Sequence, residues 1–214
     1  MEIISLEKEN VDKEVIVKTE EVLRSGKIAI VPTDTEYGIV GDARNQIAIE
    51  KMFAIKKRPQ EKVFPVFVKS ISEARKYAYI SDAKARFLAS IWPGPITVVF
   101  QHKEKLPLIL TGWLNNLGLR VPKHLFLLEL LSRLEMPLAQ TSANISEKPP
   151  AKNIEDIKDY FENSDVQPDL VIDGGELSGR ASTVIDFTGN EPIVLRTGLV
   201  SKEELDRTFR ELKP

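Results

Sequence analysis

Lys27-Ile28-Ala29-Ile30-Val31-Pro32-Thr33-Asp34-Thr35-Glu36-Tyr37-Gly38 opens as an apolar run and turns polar at a proline. Ile28 to Val31 is too short for a helix and too apolar for an exposed strand, so it reads as a buried strand that Pro32 closes. Before it, Thr19 to Arg24 has helical spacing and stops at Ser25-Gly26. The same alternation continues through the chain. Helices are expected over Ile47–Ile55, Ser72–Tyr77, Asp82–Ser90, His124–Leu134, Ile154–Phe161 and Glu203–Leu212. Strands are expected over Pro65–Val68, Ile96–Phe100, Leu117–Val121, Leu170–Asp173, Thr183–Phe187 and Ile193–Leu195, and one begins at Pro137–Ala139 and runs into Thr141-Ser142. Of the first of these helices, Ile47, Met52 and Ile55 are available for an inner face.

This order of strands and helices predicts a layered α/β fold. Turns such as Thr188-Gly189-Asn190 join some strands directly, which predicts a mixed sheet and not a purely parallel one. No repeat, low-complexity tract or linker interrupts the pattern, so residues 1–214 are expected to form one domain.

The composition narrows the function classes. With 42% hydrophobic and 29% charged residues, the 214-residue chain can build a sizeable core. It has no cysteine, which rules out disulfides, thiolate metal sites and cysteine nucleophiles and fits a cytoplasmic setting. A net charge of −2 argues against bulk affinity for nucleic acid. The N-terminal residues do not form a signal peptide, and no apolar run is long enough to cross a bilayer, so no membrane partner is expected.

Polar groups recur where apolar strands end. Thr33-Asp34-Thr35, Arg120, Thr141-Ser142-Ala143-Asn144, Ser182-Thr183 and Arg196 all stand at such places. In open α/β sheets, ligands bind in a crevice beyond strand ends, so five such ends point to one shared pocket. Each also suits an ordinary turn. Lys56-Lys57-Arg58-Pro59 ends a helix, where cations are stabilised in any case, and it could also clamp phosphate, with Lys62 near it. Trp92-Pro93-Gly94-Pro95 is rigid and lacks acid–base groups, which suits a scaffold. P-loop, dinucleotide and hydrolase-elbow signatures are missing. His102 and His124 lack partners at metal spacing, so no protein-held metal is expected, and His124 reads as a capping or surface residue.

Taken in order, Pro32–Gly38, Lys56–Pro59, Trp92–Pro95, Leu119–Pro122, Thr141–Asn144, Ser182–Asp186 and Leu195–Gly198 resemble the YrdC-like family. Its K-x-R and S-x-N signatures stand here as Lys56/Arg58 and Ser142/Asn144. The resemblance implies a twisted mixed parallel/antiparallel sheet flanked by helices, a deep basic cavity, and the short form of the family. It implies a threonylcarbamoyl-AMP synthase that uses L-threonine, bicarbonate and ATP, with Mg2+ entering on the ATP. The product would serve downstream tRNA threonylcarbamoyl-transferase proteins, with at most weak tRNA contact. By position, Thr33, Arg120, Gln140 and Ser182 would hold threonine. Lys56, Arg58, Asn116, Ser142, Asn144 and Arg196 would hold ATP, with Lys56 and Arg58 catalytic. Gln60 and Pro150 fall at positions that touch nucleotide in relatives. Glu147, Ala151 and Thr197 depart from the family pattern, where glycine, threonine and proline are usual. The alternative is a non-catalytic, RNA-binding member of the same family.

Overall fold

The computed structural model describes residues 1–6, 12–57, 59 and 63–211. In chain order the strands are β1 (Glu2–Ser5), β2 (Ala29–Val31), β3 (Gly38–Asp42), β4 (Val66–Phe67), β5 (Ile96–Gln101), β6 (Asn116–Arg120), β7 (Leu138–Ser142), β8 (Leu170–Asp173), β9 (Thr183–Asp186) and β10 (Ile193–Arg196). The helices are α1 (Lys13–Arg24), α2 (Gln46–Lys56), α3 (Ile71–Tyr77), α4 (Asp82–Ile91), α5 (Leu125–Leu134), α6 (Ile154–Phe161) and α7 (Lys202–Glu211), and a 3-10 turn covers Leu108–Thr111.

The described strands form a sheet in the order β1-β8-β2-β3-β7-β4-β6-β5-β9-β10. As expected, it is mixed. β1 and β2 flank β8 in parallel, and β4–β6 and β5–β9 are also parallel pairs. β2–β3, β3–β7, β4–β7, β5–β6 and β9–β10 are antiparallel. The turn at Thr188-Gly189-Asn190 joins the last of these pairs.

The central strands are continuously apolar because both of their faces are covered. In β2, Ile30 packs into one apolar cluster while Ala29 and Val31 pack into another. β3 splits the same way at Ile39 and Val40, and β8 at Val171 and Ile172. Side chains alternate across a strand, so a strand between two layers needs apolar residues at every position. α1 and α5 cover one face through Val15, Ile16, Leu23, Leu127, Leu130 and Leu131. α2, α4 and α6 supply the other cluster.

Several expectations shift. α1 begins at Lys13, not Thr19, because the Asp12 side chain accepts the Glu14 N–H at 2.8 Å and caps the helix there. α3 is capped by Ser70, so it starts a residue before Ser72. β1 and β3 carry no expectation from the pattern. β2 begins at Ala29, one residue after Ile28, while β7 (Leu138–Ser142) runs through Thr141-Ser142 as expected. β4 is shorter than Pro65–Val68; α7 is described over Lys202–Glu211, and the expected last residue, Leu212, lies outside the described residues. Ile47 is 73% exposed and does not join the inner face of α2. Met52 and Ile55 are buried as expected, with Ala48, Ile49, Phe53 and Lys56 beside them; Ile49, Met52, Phe53 and Lys56 stand at the i, i+3, i+4, i+7 spacing of a helical stripe. A lysine therefore ends a stripe that points into the protein. His124 stands at the N-cap position of α5, but its side chain makes no capping bond and is half-buried.

Candidate active site

One cavity of about 450 Å3 lies against the half of the sheet built from β5, β6, β7, β9 and β10. Alternate residues of three strands face it: Thr97 and Val99 of β5, Asn116, Gly118 and Arg120 of β6, and Val184 and Asp186 of β9, with Ser182 just before β9. The period of two explains the set. The pocket thus sits on the face of the sheet and not only beyond the strand ends. Gly118 helps to open it, since a Cβ there would come within 3.2 Å of Thr97 Cγ2 and 3.3 Å of Pro65 Cβ.

Of the residues singled out in the sequence, Asn116, Arg120, Gln140, Ser142, Ser182 and Arg196 line this cavity. Thr33, Lys56 and Asn144 stand behind it, one contact away. Arg58, like Gln60 and Lys62, lies outside the described residues. Pro150 does not line the cavity.

Arg120, the last residue of β6, is only 2% exposed. Its Nη2 donates to Asp34 Oδ1 at 2.5 Å, its Nε to the Gly94 carbonyl at 3.0 Å, and its Nη1 to Thr35 Oγ1 at 3.3 Å. Burial pulls the guanidinium below its usual range, and the Asp34 carboxylate opposes that pull. The Trp92–Pro95 segment is therefore the scaffold its composition suggests. Trp92 Nε1 donates to the Ile96 carbonyl at 2.7 Å, and the Gly94 carbonyl is offered to Arg120.

Thr33 shapes the loop that carries Asp34, Thr35 and Glu36. Its Oγ1 accepts the N–H groups of Thr35 and Glu36 at 3.0 and 3.2 Å and donates to the Glu36 carbonyl at 2.7 Å. The cavity surface is given by Thr35 and Glu36 instead.

On the other side, Lys56 is 1% exposed, and its Nζ donates to the Ser142 carbonyl (2.7 Å), Asn144 Oδ1 (2.7 Å) and the Asn144 carbonyl (3.1 Å). Ser142 Oγ donates to Asn144 Oδ1 at 2.7 Å, and Asn144 Nδ2 donates to the Ile145 and Lys148 carbonyls. The K-x-R lysine thus ties the S-x-N loop to the end of α2. Glu147 in this loop adopts a left-handed φ of 71°, which explains why glycine suits the position. Ala151 is fully buried. At the far wall, Arg196 Nη2 donates to the Ser182 carbonyl at 2.9 Å and to Ser182 Oγ at 3.2 Å, and Ser182 Oγ meets Thr97 Oγ1 at 3.2 Å.

The sequence puts Asp34 and Thr35 in the shared-pocket set without a role and does not single out Glu36 or Asp186; the structure makes Asp34 the partner of Arg120 and places Thr35, Glu36 and Asp186 in the lining. A fully buried arginine at a strand end requires a carboxylate nearby, and Asp34 was the acid in the same polar segment. The described lining carries two guanidiniums, Arg120 and Arg196, and two carboxylates, Glu36 and Asp186. It is mixed in sign, not uniformly basic. Among the described residues, no three His, Asp or Glu side chains cluster in a way that could hold a metal ion. No described helix is long and apolar enough to cross a membrane.

A mixed α/β sheet whose face carries hydroxyl, amide and guanidinium groups around one cavity defines a protein of the small-ligand-binding class. The chain belongs to the Sua5/YciO/YrdC family, whose model, described as telomere recombination, matches residues 21–198. It is 34% identical over 193 residues to the threonylcarbamoyl-AMP synthase of Pyrococcus abyssi, covering 89% of this chain and 56% of that protein. The chain thus spans little more than half the length of that relative. The crystal structure of P. abyssi Sua5 complexed with L-threonine superposes with a TM-score of 0.90 at 32% identity, over 97% of this chain and 61% of that one. E. coli YciO superposes with a TM-score of 0.87 at 26% identity, over 96% of this chain and 100% of that one.

Proposed function

We propose that this chain condenses L-threonine, bicarbonate and ATP to threonylcarbamoyl-AMP and pyrophosphate, for transfer to tRNA by downstream threonylcarbamoyl-transferase proteins. The observation that carries the reading is the convergence of Arg120, Gln140, Ser182, Asn116, Ser142 and Arg196 on one cavity. The likeness to a synthase, and to a Sua5 structure that holds L-threonine, supports it.

In this reading Arg120 faces the amino-acid carboxylate. Asp34 and the Gly94 carbonyl fix two of its three nitrogens, leaving Nη1, with its longer bond to Thr35, as the one that exchanges partners. Gln140 and Ser182 complete that half, and Thr33 holds its loop in shape. Asn116, Ser142 and Arg196 face ATP, with Asn144 and Lys56 behind Ser142, and Arg58 would join them on the phosphates. The threonine amine, having given up its ammonium proton, adds to the carbon of bicarbonate and water leaves; an oxygen of the resulting carbamate then attacks the α-phosphorus as pyrophosphate leaves. Neither step needs a covalent protein nucleophile. The work is positioning and charge stabilisation by Lys56, Arg58 and Arg196. Mg2+ would arrive with the ATP, held by phosphate and water.

The test is pyrophosphate release from ATP with bicarbonate present, with and without L-threonine, and with serine and other amino acids in its place. Threonine-dependent release is expected. Release that ignores threonine sinks the reading, and absence of release beside measurable RNA binding favours the non-catalytic alternative.

A further inference from the structure

Glu36 is the one acid of the Pro32–Gly38 segment whose role the reaction above leaves open. It lines the cavity and is 8% exposed, and its Oε2 is buried without a hydrogen-bond partner among the described residues. A buried, unpaired carboxylate oxygen is costly, so a site keeps one only when a donor arrives to meet it. Three cations influence this carboxylate: Arg196, Lys56 and Arg120. Each has its own bonded partners, at Ser182, at Ser142 and Asn144, and at Asp34. Burial nevertheless outweighs them and pushes the carboxyl above its usual range, as expected for an acid that still lacks a direct donor.

We propose that Glu36 receives the α-ammonium of the amino-acid substrate, so that the cavity selects a zwitterion: carboxylate toward Arg120, ammonium toward Glu36 Oε2. This rests on the amino-acid reading above and adds the group that distinguishes an amino acid from a hydroxy acid. Arg120 and Glu36 line the same cavity and perturb one another, which suits the two poles of one small ligand. An ammonium is preferred to the ligand's hydroxyl as donor because a hydrogen bond between two ionised groups is about twice as strong as a neutral one. Arg196 and Lys56 also act on Glu36 from the side assigned to ATP. The amine would then lie between the two halves of the site, where its carboxylation product must meet the nucleotide.

The test measures Kd by calorimetry for L-threonine, L-2-aminobutyrate (amine, no hydroxyl) and 3-hydroxybutyrate (hydroxyl, no amine), with the parent and with Glu36→Gln. The parent should bind L-2-aminobutyrate more tightly than 3-hydroxybutyrate. Glu36→Gln should weaken both amines by about tenfold or more, the size of one charged hydrogen bond, and leave 3-hydroxybutyrate unchanged. Unchanged L-2-aminobutyrate affinity in Glu36→Gln overturns the proposal while leaving the amino-acid reading intact. Should the variant fail to fold, the parent's ranking decides, and tighter binding of 3-hydroxybutyrate overturns it. A parent that binds neither amino acid removes both this proposal and the reading beneath it.

Discussion

Lys56 and Arg120 are the two most deeply buried cations described, yet their described partners differ. Among the described residues, Lys56 meets neutral oxygens of Ser142 and Asn144, two of them backbone carbonyls. Arg120 is held by the carboxylate of Asp34, with Gly94 and Thr35 as neutral partners. In the first region the cation organises a loop, and removing it frees chain. In the second the cation needs its counter-ion, and removing the counter-ion strands a charge. The lesson is that a buried positive charge serves as a tie in one place and as a fixed fork in the other.

The largest effect is expected at Asp34. Asp34→Ala leaves Arg120 buried and unpaired and should cost about 3–5 kcal/mol, read as a lower urea midpoint. Adding Arg120→Met should recover much of that loss. A simple sum of the two losses would break the ion-pair half of the comparison. Next comes Lys56→Met, expected to cost about 1.5–3 kcal/mol by stripping charged hydrogen bonds from Ser142 and Asn144. Its signature is local: faster hydrogen exchange at Ser146 and Lys148, whose N–H groups bond to the Lys56 and Ile145 carbonyls. Unchanged exchange there would show that the lysine is no tie. Smaller again, Glu147→Gly should raise stability by about 1 kcal/mol in thermal melts, because it relieves a left-handed residue in the same loop.

The smallest effect concerns Glu36. Its folded-state carboxyl is raised, so the folded protein holds the proton over a range where the unfolded chain has released it. Stability should therefore fall as pH rises through that range. Glu36→Gln should melt slightly higher than the parent at neutral pH, with the difference vanishing in acid below the ordinary carboxylate range. A difference that grows in acid would contradict the sign.

Much of this was legible in the sequence, for local reasons. Ile28–Val31 announced a buried strand, and helical period brought Met52 and Ile55 of α2 inward as expected; that the same period also carries Lys56 inward emerged only from the fold. What stayed hidden depends on contacts distant in sequence. β3, Gly38-Ile39-Val40-Gly41-Asp42, has glycines that disfavour a strand by propensity. It forms by pairing with β2 and β7, and Gly41 suits crowded neighbours: a Cβ there would press within 3.2–3.5 Å of Ile28, Met52 and Ala48. β1 is set by its parallel pairing with β8, far along the chain. Within Thr33–Glu36 the motif pointed to Thr33, whereas folding turned that hydroxyl into the loop and brought Thr35 and Glu36 to the cavity. Nor could a strand-end pattern tell that the pocket would lie on the sheet's face.

The central claim is that one cavity seats an amino acid beside ATP and joins them through a carboxylated amine. Incubating the protein with ATP, L-threonine and isotopically labelled bicarbonate, then weighing the products, tests it most directly. An acyl-adenylate containing threonine and the labelled carbon is predicted. Nucleotide recovered only as ATP, or AMP formed without a threonine-bearing adduct, would contradict it.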